Sequence, residues 1–235
     1  TSNNRLRVVD VQTGEVWTKS GNGSEGFADG DSTSSMFSAP RGVAVNEART
    51  FAVVADSGNR RVRKVDLISG ETTTLAGNGS AGFVDGAGTA ALFSQLAGIS
   101  ILPDESAVLV ADSGRLRRIN LNNGAVRTLA GDGNSTFKDG AGVSVSFQML
   151  EGVATAMNGS AIVVSDVEDN RIRVLRNCLA DPCVLPRYRN CARPFSIGGS
   201  GNCDCPDLPP HARSNETVGD CAWSCVEGYY LGTNG

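Results

Sequence analysis

Three runs of β-branched and small apolar residues, each ending in an aspartate, dominate the hydrophobic pattern of the chain. They read FAVVAD, AVLVAD and AIVVSD, and they end at Asp56, Asp112 and Asp166. Each run is followed by a stretch in which charged and apolar residues alternate, as in Arg61–Asp66. A short continuous apolar run is consistent with a strand buried on both faces, and strict alternation predicts a half-buried strand. The chain is therefore expected to consist of short strands.

The same pattern recurs with a nearly constant period. A glycine-rich segment with two phenylalanines and an Asp-Gly pair occurs at Ser20–Phe37, Leu75–Phe93 and Leu129–Phe147. The aspartates of the three Asp-Gly pairs are 56 and then 54 residues apart, and the aspartates that end the apolar runs have the same spacings. The Asp-Gly aspartates are Asp29, Asp85 and Asp139. A fixed period of this length indicates one structural unit repeated along the chain.

Each repeat is predicted to contain four strands. In the clearest copy these are Gly42–Val45, Phe51–Ala55, Arg61–Asp66 and Thr72–Ala76, with glycine and Asn-Gly pairs between them. Four strands per repeat are typical of a β-propeller blade. The short apolar first strand is expected to be innermost and the more polar fourth strand outermost. The segment Ala87–Phe93 is expected to form one helical turn, with Phe93 fixing the loop between blades.

The repeats account for the chain up to about residue 176. Arg5–Asp10 and Glu15–Lys19 correspond to the third and fourth strands of a repeat, and two full repeats follow. The last repeat contributes only three strands, Gly152–Thr155, Ala161–Asp166 and Arg171–Arg176. The predicted fold class is therefore all-β, with about three propeller blades.

The motif L-A-G-x-G-x-x-G-F-x-D-G…F, followed by G-[IV]-A-V and V-A-D-S-G-N-R-x-[IV]-R-K-[IV], resembles the NHL-repeat β-propellers. The match is clearest in Gly42–Phe93 and extends over Thr1–Arg176. The resemblance implies a propeller, usually of six blades, of which this chain is expected to form the C-terminal half. A strand from the upstream half is then expected to complete the last blade; the alternative is an open arc completed by a partner chain.

Charge and hydropathy narrow the function classes. The formal net charge is −4 and the arginines are distributed one set per repeat rather than along a basic stripe, so no nucleic-acid binding is expected. No apolar run approaches the roughly 18 residues of a membrane span, so no membrane insertion is expected in this segment. The recurring arginines, such as Arg61 and Arg63, are expected to make structural hydrogen bonds within each blade.

A cysteine-rich segment follows the repeats. Its seven cysteines are Cys178, Cys183, Cys191, Cys203, Cys205, Cys221 and Cys225. Because the segment has few apolar residues for a core, disulfides of unknown pairing are expected to hold it together. The odd count indicates that the cysteine pattern continues beyond residue 235. A zinc site formed by Cys203, Cys205, Cys221 and Cys225 is an alternative, although the spacing fits C-x2-C pairs poorly.

The cysteine-rich segment also resembles known extracellular modules. The stretch C-A-W-S-C-V-E-G-Y-Y, which begins at Cys221, is similar to turns of EGF-like and ephrin-receptor-like modules. The chain is therefore divided into a propeller segment over residues 1–176 and a small disulfide-rich module over residues 177–235.

Few residues point to catalysis, and no cofactor or metal is expected. His211 is the single histidine, so neither a Ser-His-Asp triad nor the histidine-bound metal of an NHL-type lyase is expected in this segment. The repeated aspartates are candidates for a calcium-dependent hydrolase, but a catalytic site normally breaks repeat symmetry. They are instead expected to bond their own backbone in turns. Glu151, Glu168 and Asp169 do break the symmetry, and they are interpreted as residues of a loop insertion.

Five N-x-[ST] sequons provide the strongest chemical signal. They are at Asn22, Asn78, Asn134, Asn158 and Asn215. Together with the cysteine-rich segment they predict a secretory route, with N-linked glycans holding their loops at the solvent surface.

The function expected from these features is non-enzymatic. The chain is interpreted as a structural or interaction module of a large secreted or cell-surface glycoprotein, with other protein modules or self-assembled subunits as partners. Its composition resembles that of algal and protist surface glycoproteins, including flagellar-hair (mastigoneme) proteins. The alternatives are a propeller hydrolase or lyase whose site lies in the other half, and the ligand-binding ectodomain of a receptor.

Overall fold

The computed structural model of the protein describes residues 3–157, 159–177 and 229–231. In this part of the chain, short antiparallel strands form four sheets, which we call blades 1 to 4. Blade 1 contains β1 (Leu6–Val9) and β2 (Val16–Ser20). The strands of blade 2 pair in chain order: β3 (Pro40–Val45), β4 (Phe51–Asp56), β5 (Arg61–Asp66) and β6 (Thr72–Ala76).

Blades 3 and 4 repeat this arrangement. Blade 3 contains a two-residue strand, β7 (Gly86–Ala87), and then β8 (Leu96–Ile101), β9 (Ala107–Asp112), β10 (Arg115–Asn120) and β11 (Ala125–Ala130). Blade 4 contains β12 (Leu150–Thr155), β13 (Ala161–Asp166), β14 (Arg171–Asn177) and β15 (Tyr229–Leu231). The predicted strands are confirmed to within two residues at each end. The predicted helical turn is also present, as 3-10 helices at Gly88–Ala90 and Gly142–Ser144.

The first of the four predicted strands is the inner one in blades 2 to 4, as predicted, and these strands, β3, β8 and β12, lie side by side. A glycine near the start of each inner strand permits this approach. A side chain on Gly42 would overlap the carbonyl oxygen of Ala97, and a side chain on Gly98 would overlap that of Glu151. Because glycine has no side chain on its Cα atom, the backbones of neighbouring blades come close enough for these contacts.

The core lies between successive blades. Between blades 2 and 3, Val53 and Phe93 belong to one buried cluster with Ile99 and Val110, and a second cluster joins blades 3 and 4 around Phe147. The second phenylalanine of every repeat is fully buried; these residues are Phe37, Phe93 and Phe147. This confirms the prediction that this phenylalanine fixes the loop between blades.

The loop that leads into a blade also covers that blade's outer edge. Gly30 pairs with Thr72 at the edge of β6, and β7 pairs in the equivalent place with β11. An uncovered edge strand offers unpaired backbone groups to other chains. The connecting loop therefore covers the outer edge of blade 2 with a single bridge and that of blade 3 with a fifth strand.

Blade 4 differs from the prediction. Its fourth position was expected to be filled by a strand from an upstream half, but in the structure β15 pairs antiparallel with β14, with Leu231 opposite Leu175. Repeat spacing did not reveal this strand, because about fifty residues of different composition separate it from β14.

Candidate functional site

A buried arginine at the third strand is the centre of a polar cluster in blade 2. The guanidinium of Arg63 is fully buried and donates to Asp29 at 2.6 Å and to Asp56 at 2.8 Å. It also donates to the backbone carbonyls of Ala28 and Met36, and the rings of Phe27 and Phe37 lie within 5.3 Å of its central carbon. This one side chain therefore joins the incoming loop, the end of β4 and the middle of β5.

The cluster is repeated in the next two blades. Arg117 pairs with Asp85 and Asp112, both at 2.8 Å, and donates to the carbonyls of Val84 and Leu92. Arg173 pairs with Asp139 and lies 3.7 Å from Asp166. The prediction that the recurring arginines are structural is confirmed for these three positions.

The aspartates at the ends of the apolar runs are buried acceptors. Asp56 accepts hydrogen bonds from the backbone N–H of Ser38 and from the side-chain amide of Asn59, both at 2.8 Å. Asp112 accepts from the N–H groups of Ser94 and Gln95. Burial raises the pKa of both carboxyls above the ordinary aspartate value, against the lowering effect of these hydrogen bonds and of the paired arginine.

The expected role of the repeated aspartates needs a correction. They were expected to bond their own backbone in turns, but their partners are an arginine and the backbone of a different segment. The turns use other aspartates. Asp66 accepts from the N–H groups of Ile68 and Ser69, both at 2.7 Å, and Asp10 occupies the same place in blade 1.

In blades 2 to 4, a second arginine stacks on the first phenylalanine of the incoming loop. Arg61 lies 3.7 Å from the centre of the Phe27 ring, Arg115 lies 4.1 Å from that of Phe83, and the pair is repeated in blade 4. Arg61 also donates to the carbonyl of Asn78, in the loop that leaves the blade. The two alternating arginines of the third strand thus hold the loops before and after their blade.

The three acidic residues that break the repeat do not lie in an insertion, so that interpretation is wrong. Glu151 is part of the inner strand β12. Glu168 and Asp169 lie in a turn between β13 and β14 that has the same length as the turn after Asp56, and Asp169 pairs with Arg171. Glu151 pairs with Arg41 of β3 at 2.9 Å.

The Arg41–Glu151 pair joins blades 2 and 4. The two residues occupy the same position of their inner strands, and Ala97 occupies that position in the strand between them. Both side chains are about 40% exposed, so the pair is accessible to water on the inner side of the arc. An exposed pair of this kind contributes little to stability.

Three predicted glycosylation sites lie in the described residues, and all are exposed. Asn22 and Asn78 occupy equivalent positions in the loops after β2 and β6. Each accepts a hydrogen bond at its Oδ1 atom from the N–H of the sequon serine, at 2.8 Å. Asn134 differs, because its side-chain amide donates to Asp132. Asn158, Asn215, His211 and the seven predicted disulfide cysteines lie outside the described residues.

A cavity of about 450 Å³ opens beside blade 1. Its walls include Val8 and Trp17 on one side and Val43 and Val45 on the other. A smaller cavity, of about 240 Å³, adjoins it, and Arg7 lines both. Among the described residues, no strand pairs with the inner side of β1, and the cavity lies there.

The residues that the structure describes contain no group of three histidine, cysteine or acidic side chains placed to hold a metal ion. Within the same ranges, no helix has the length and apolar character needed to cross a membrane.

Successive antiparallel sheets, three of which pack inner strand against inner strand, define a β-propeller segment. No family model matches the chain. It is 28% identical over 159 residues to Protein SUPPRESSOR OF QUENCHING 1, chloroplastic, from Arabidopsis thaliana, a match that covers 65% of this chain and 15% of that protein.

Solved structures show the same fold. An auxiliary nutrient binding protein from Bacteroides thetaiotaomicron has a TM-score of 0.56 at 17% identity, and the match covers 74% of this chain and 43% of that one. A protein of unknown function from the same organism has a TM-score of 0.60 at 19% identity, covering 74% and 42%. An auxiliary nutrient binding protein from Bacteroides ovatus gives 0.56 at 19%, covering 73% and 43%. The chain thus spans less than half the length of these proteins, and identities this low show the fold alone.

Proposed function

We propose that this chain is a non-enzymatic interaction module of a secreted or cell-surface glycoprotein. Exposed sequons at the same place in successive blades carry the proposal. An arginine of the third strand donates a hydrogen bond to the backbone carbonyl of each asparagine: Arg5 to Asn22 and Arg61 to Asn78. The same turn presents the side-chain amide nitrogen of both asparagines at the surface, where a glycan is added.

The buried clusters support a scaffold role. Six aspartates and three arginines, which are the residues a carboxylate-based hydrolase would draw on, are bound to one another or to the backbone in three equivalent places. Such clusters fix the loops relative to the sheets. We propose that the module presents these rigid loops to other protein modules, and that the cysteine-rich segment links it to them.

One finer version of the proposal and one alternative to it have specific support. The first is self-assembly into a surface filament of the flagellar-hair kind, and its support is the amino-acid composition alone. The second is ligand binding by a receptor ectodomain. It has more support, because two structurally similar proteins are described as nutrient binding proteins and a cavity of about 450 Å³ is present.

The test is peptide mapping by mass spectrometry, without reduction, of the protein isolated from its native source. We expect glycans on Asn22 and Asn78 and oxidised cysteines, with Asn134 less occupied because its amide nitrogen is bonded to Asp132. Unmodified asparagines with free thiols would overturn the proposal. That result would favour an intracellular compartment, in line with the chloroplastic relative.

A further inference from the structure

Two glycine-rich loops present an Asn-Gly pair in the same arrangement. Asn22-Gly23 follows β2, Asn78-Gly79 follows β6, and both asparagines are exposed. Each side-chain carbonyl accepts a hydrogen bond at 2.8 Å from the N–H two residues further on. This bond folds the side chain back toward the intervening N–H, which belongs to the glycine. Among the described residues, neither glycine N–H donates a hydrogen bond.

A third Asn-Gly pair provides a contrast. Asn123-Gly124 lies in the hairpin between β10 and β11, and its side-chain carbonyl accepts from the N–H of Ala125 at 3.0 Å. Here the glycine is buried, and its N–H donates to the carbonyl of Asn120 at 2.9 Å. The glycine nitrogen of this pair is therefore engaged in the hairpin, in contrast to those of the two loops.

We propose that Asn22 and Asn78, when they carry no glycan, are sites of spontaneous conversion to aspartate or isoaspartate, and that Asn123 is protected. The backbone nitrogen of the following glycine gives up its proton to hydroxide and forms a bond to the asparagine Cγ atom, and the side-chain nitrogen leaves as ammonia. Water then opens the five-membered imide at either carbonyl, which restores one peptide bond and leaves one carboxylate.

The structure favours this reaction at the two loops and opposes it at the hairpin. Glycine has no side chain to hinder the ring closure, and its backbone is free to adopt the necessary conformation. This condition is met at all three pairs. A nitrogen that already donates a hydrogen bond must first give that bond up, and this cost applies to Gly124 alone.

The next copy of the loop shows that the product fits. Asp132 occupies the position of Asn78, and its carboxylate accepts from the N–H of Asn134, two residues further on, at 2.8 Å. Aspartate at position 78 can accept from Ser80 in the same way. A cation lies beside the new charge, because Arg61 donates to the backbone carbonyl of Asn78. Each conversion adds one negative charge to a chain whose formal net charge is −4.

Glycosylation and this conversion compete for the same atom. A glycan is attached to the side-chain nitrogen that would otherwise leave as ammonia, so an occupied sequon is protected. Each of the two loops therefore carries either a glycan or, with time, a carboxylate.

The test uses the full 235-residue chain with the substitutions Ser24→Ala and Ser80→Ala. These remove both sequons but keep the Asn-Gly pairs and the backbone N–H groups that hold the side chains. The protein is incubated at mildly alkaline pH in water enriched in oxygen-18, and peptide mass spectrometry follows the mass gain and the label at each site. A parallel incubation in urea gives the rate of each site without the fold.

In urea we expect the three sites to react at rates within about threefold of one another, because glycine follows each asparagine. In the folded chain we expect Asn22 and Asn78 to react at least about tenfold faster than Asn123. Equal rates at the three sites of the folded chain would overturn the proposal. Protection of Asn78 over a period in which the denatured chain reacts completely would overturn it as well.

The result does not depend on whether the native protein is glycosylated, because the two substitutions exclude a glycan from both loops. The proposed function and this inference therefore fail independently. Asn158 and Asn234 also precede glycine, but they lie outside the described residues, and the inference does not extend to them.

Discussion

Three guanidinium groups are buried from water and contact two carboxylates, backbone carbonyls and an aromatic ring instead. They belong to Arg63, Arg117 and Arg173. Withdrawing charged groups from water costs free energy, which paired charges and hydrogen bonds must offset. Removing one member of such a cluster leaves the other members buried and uncompensated. At the scale of single residues, the stability of this protein therefore depends strongly on a few polar side chains.

The substitution Arg117→Met tests this dependence. It leaves the carboxylate of Asp112 fully buried without its cation, so we expect the free energy of unfolding to fall by about 3 kcal/mol or more. The matched control is Arg7→Met, at the same repeat position but exposed, which should change it by less than about 0.5 kcal/mol. Urea unfolding followed by circular dichroism measures both. Similar losses in the two variants would contradict the structural role assigned to the cluster.

The turn aspartates predict a pH dependence. Hydrogen bonds from the N–H groups of Ser69 and Ile68 lower the pKa of Asp66 below its ordinary value near 4. The carboxylate therefore stabilises the fold above the pKa of the unfolded chain, and this contribution is lost as the pH falls through the lower folded value. In Asp66→Asn we expect stability to depend less steeply on pH below about 4.

Blade 3 provides the reverse experiment. Asn120 occupies the place of Asp66 and accepts the equivalent hydrogen bonds from Asn122 and Asn123. Asn120→Asp should therefore make the acid dependence steeper. Urea midpoints at a series of pH values between 2 and 6 measure both changes. If the dependence of stability on pH is unchanged in both variants, these turns unfold before their aspartates take up protons.

At the scale of elements, the hairpin between the third and fourth strands links neighbouring blades. Gly14, Gly70 and Gly124 occupy the same hairpin position, all with positive φ. The surroundings differ. A side chain on Gly124 would overlap the carbonyl oxygen of Leu75 in the preceding blade, whereas a side chain on Gly14 would meet nothing within 4 Å.

Alanine substitutions at these two positions separate backbone strain from blade packing. Gly14→Ala carries only the cost of a left-handed conformation, about 1 kcal/mol. Gly124→Ala carries the same cost and must also displace Leu75, which should add about 1 to 3 kcal/mol. Thermal unfolding of both variants provides the comparison. Equal losses would mean that the hairpin does not contact the neighbouring blade in solution.

At the scale of the whole molecule, blades contact mainly their neighbours, so stability should vary along the arc. Blade 3 has a core on both faces, and every residue of β9 is buried. Blade 1 contains two strands, most of whose residues are exposed or half-buried. We expect native-state hydrogen exchange to be slowest in β9 and fastest in β1 and β2, with β4 intermediate. Uniform protection across the blades would contradict this order.

How much the sequence predicts depends on whether a feature repeats. The strands and their order follow from apolar periodicity, because β4, β9 and β13 share one pattern. The arginines were correctly interpreted as structural for the same reason. Their partners were not predicted, because Asp29 and Arg63 lie 34 residues apart and meet only when the loop folds over the blade.

The cavity beside blade 1 is a feature that does not repeat, and the sequence does not predict it. Arg7 follows the repeat pattern, but residues 1–4 contain no equivalent of Asp29 or Asp56, the partners of Arg63. The cavity beside it depends on which strands surround β1 in three dimensions. Likewise β15, a short strand within the cysteine-rich segment, has no periodic signal that would place it next to β14.

The phase of the repeat has a consequence for how such a chain can be copied during evolution. Asp29, Asp56 and Arg63 belong to one cluster, and all three lie between the start of an incoming loop and the third strand that follows. A tandem duplication that begins at residue 20 and ends at residue 76 carries the complete cluster into the new copy. A duplication of the four-stranded sheet alone, residues 40–76, leaves Asp29 behind and inserts a buried arginine with half of its counter-charge. Selection should therefore retain duplications that copy a sheet together with one glycine-rich loop, so the unit of inheritance is one loop longer than the four-stranded sheet.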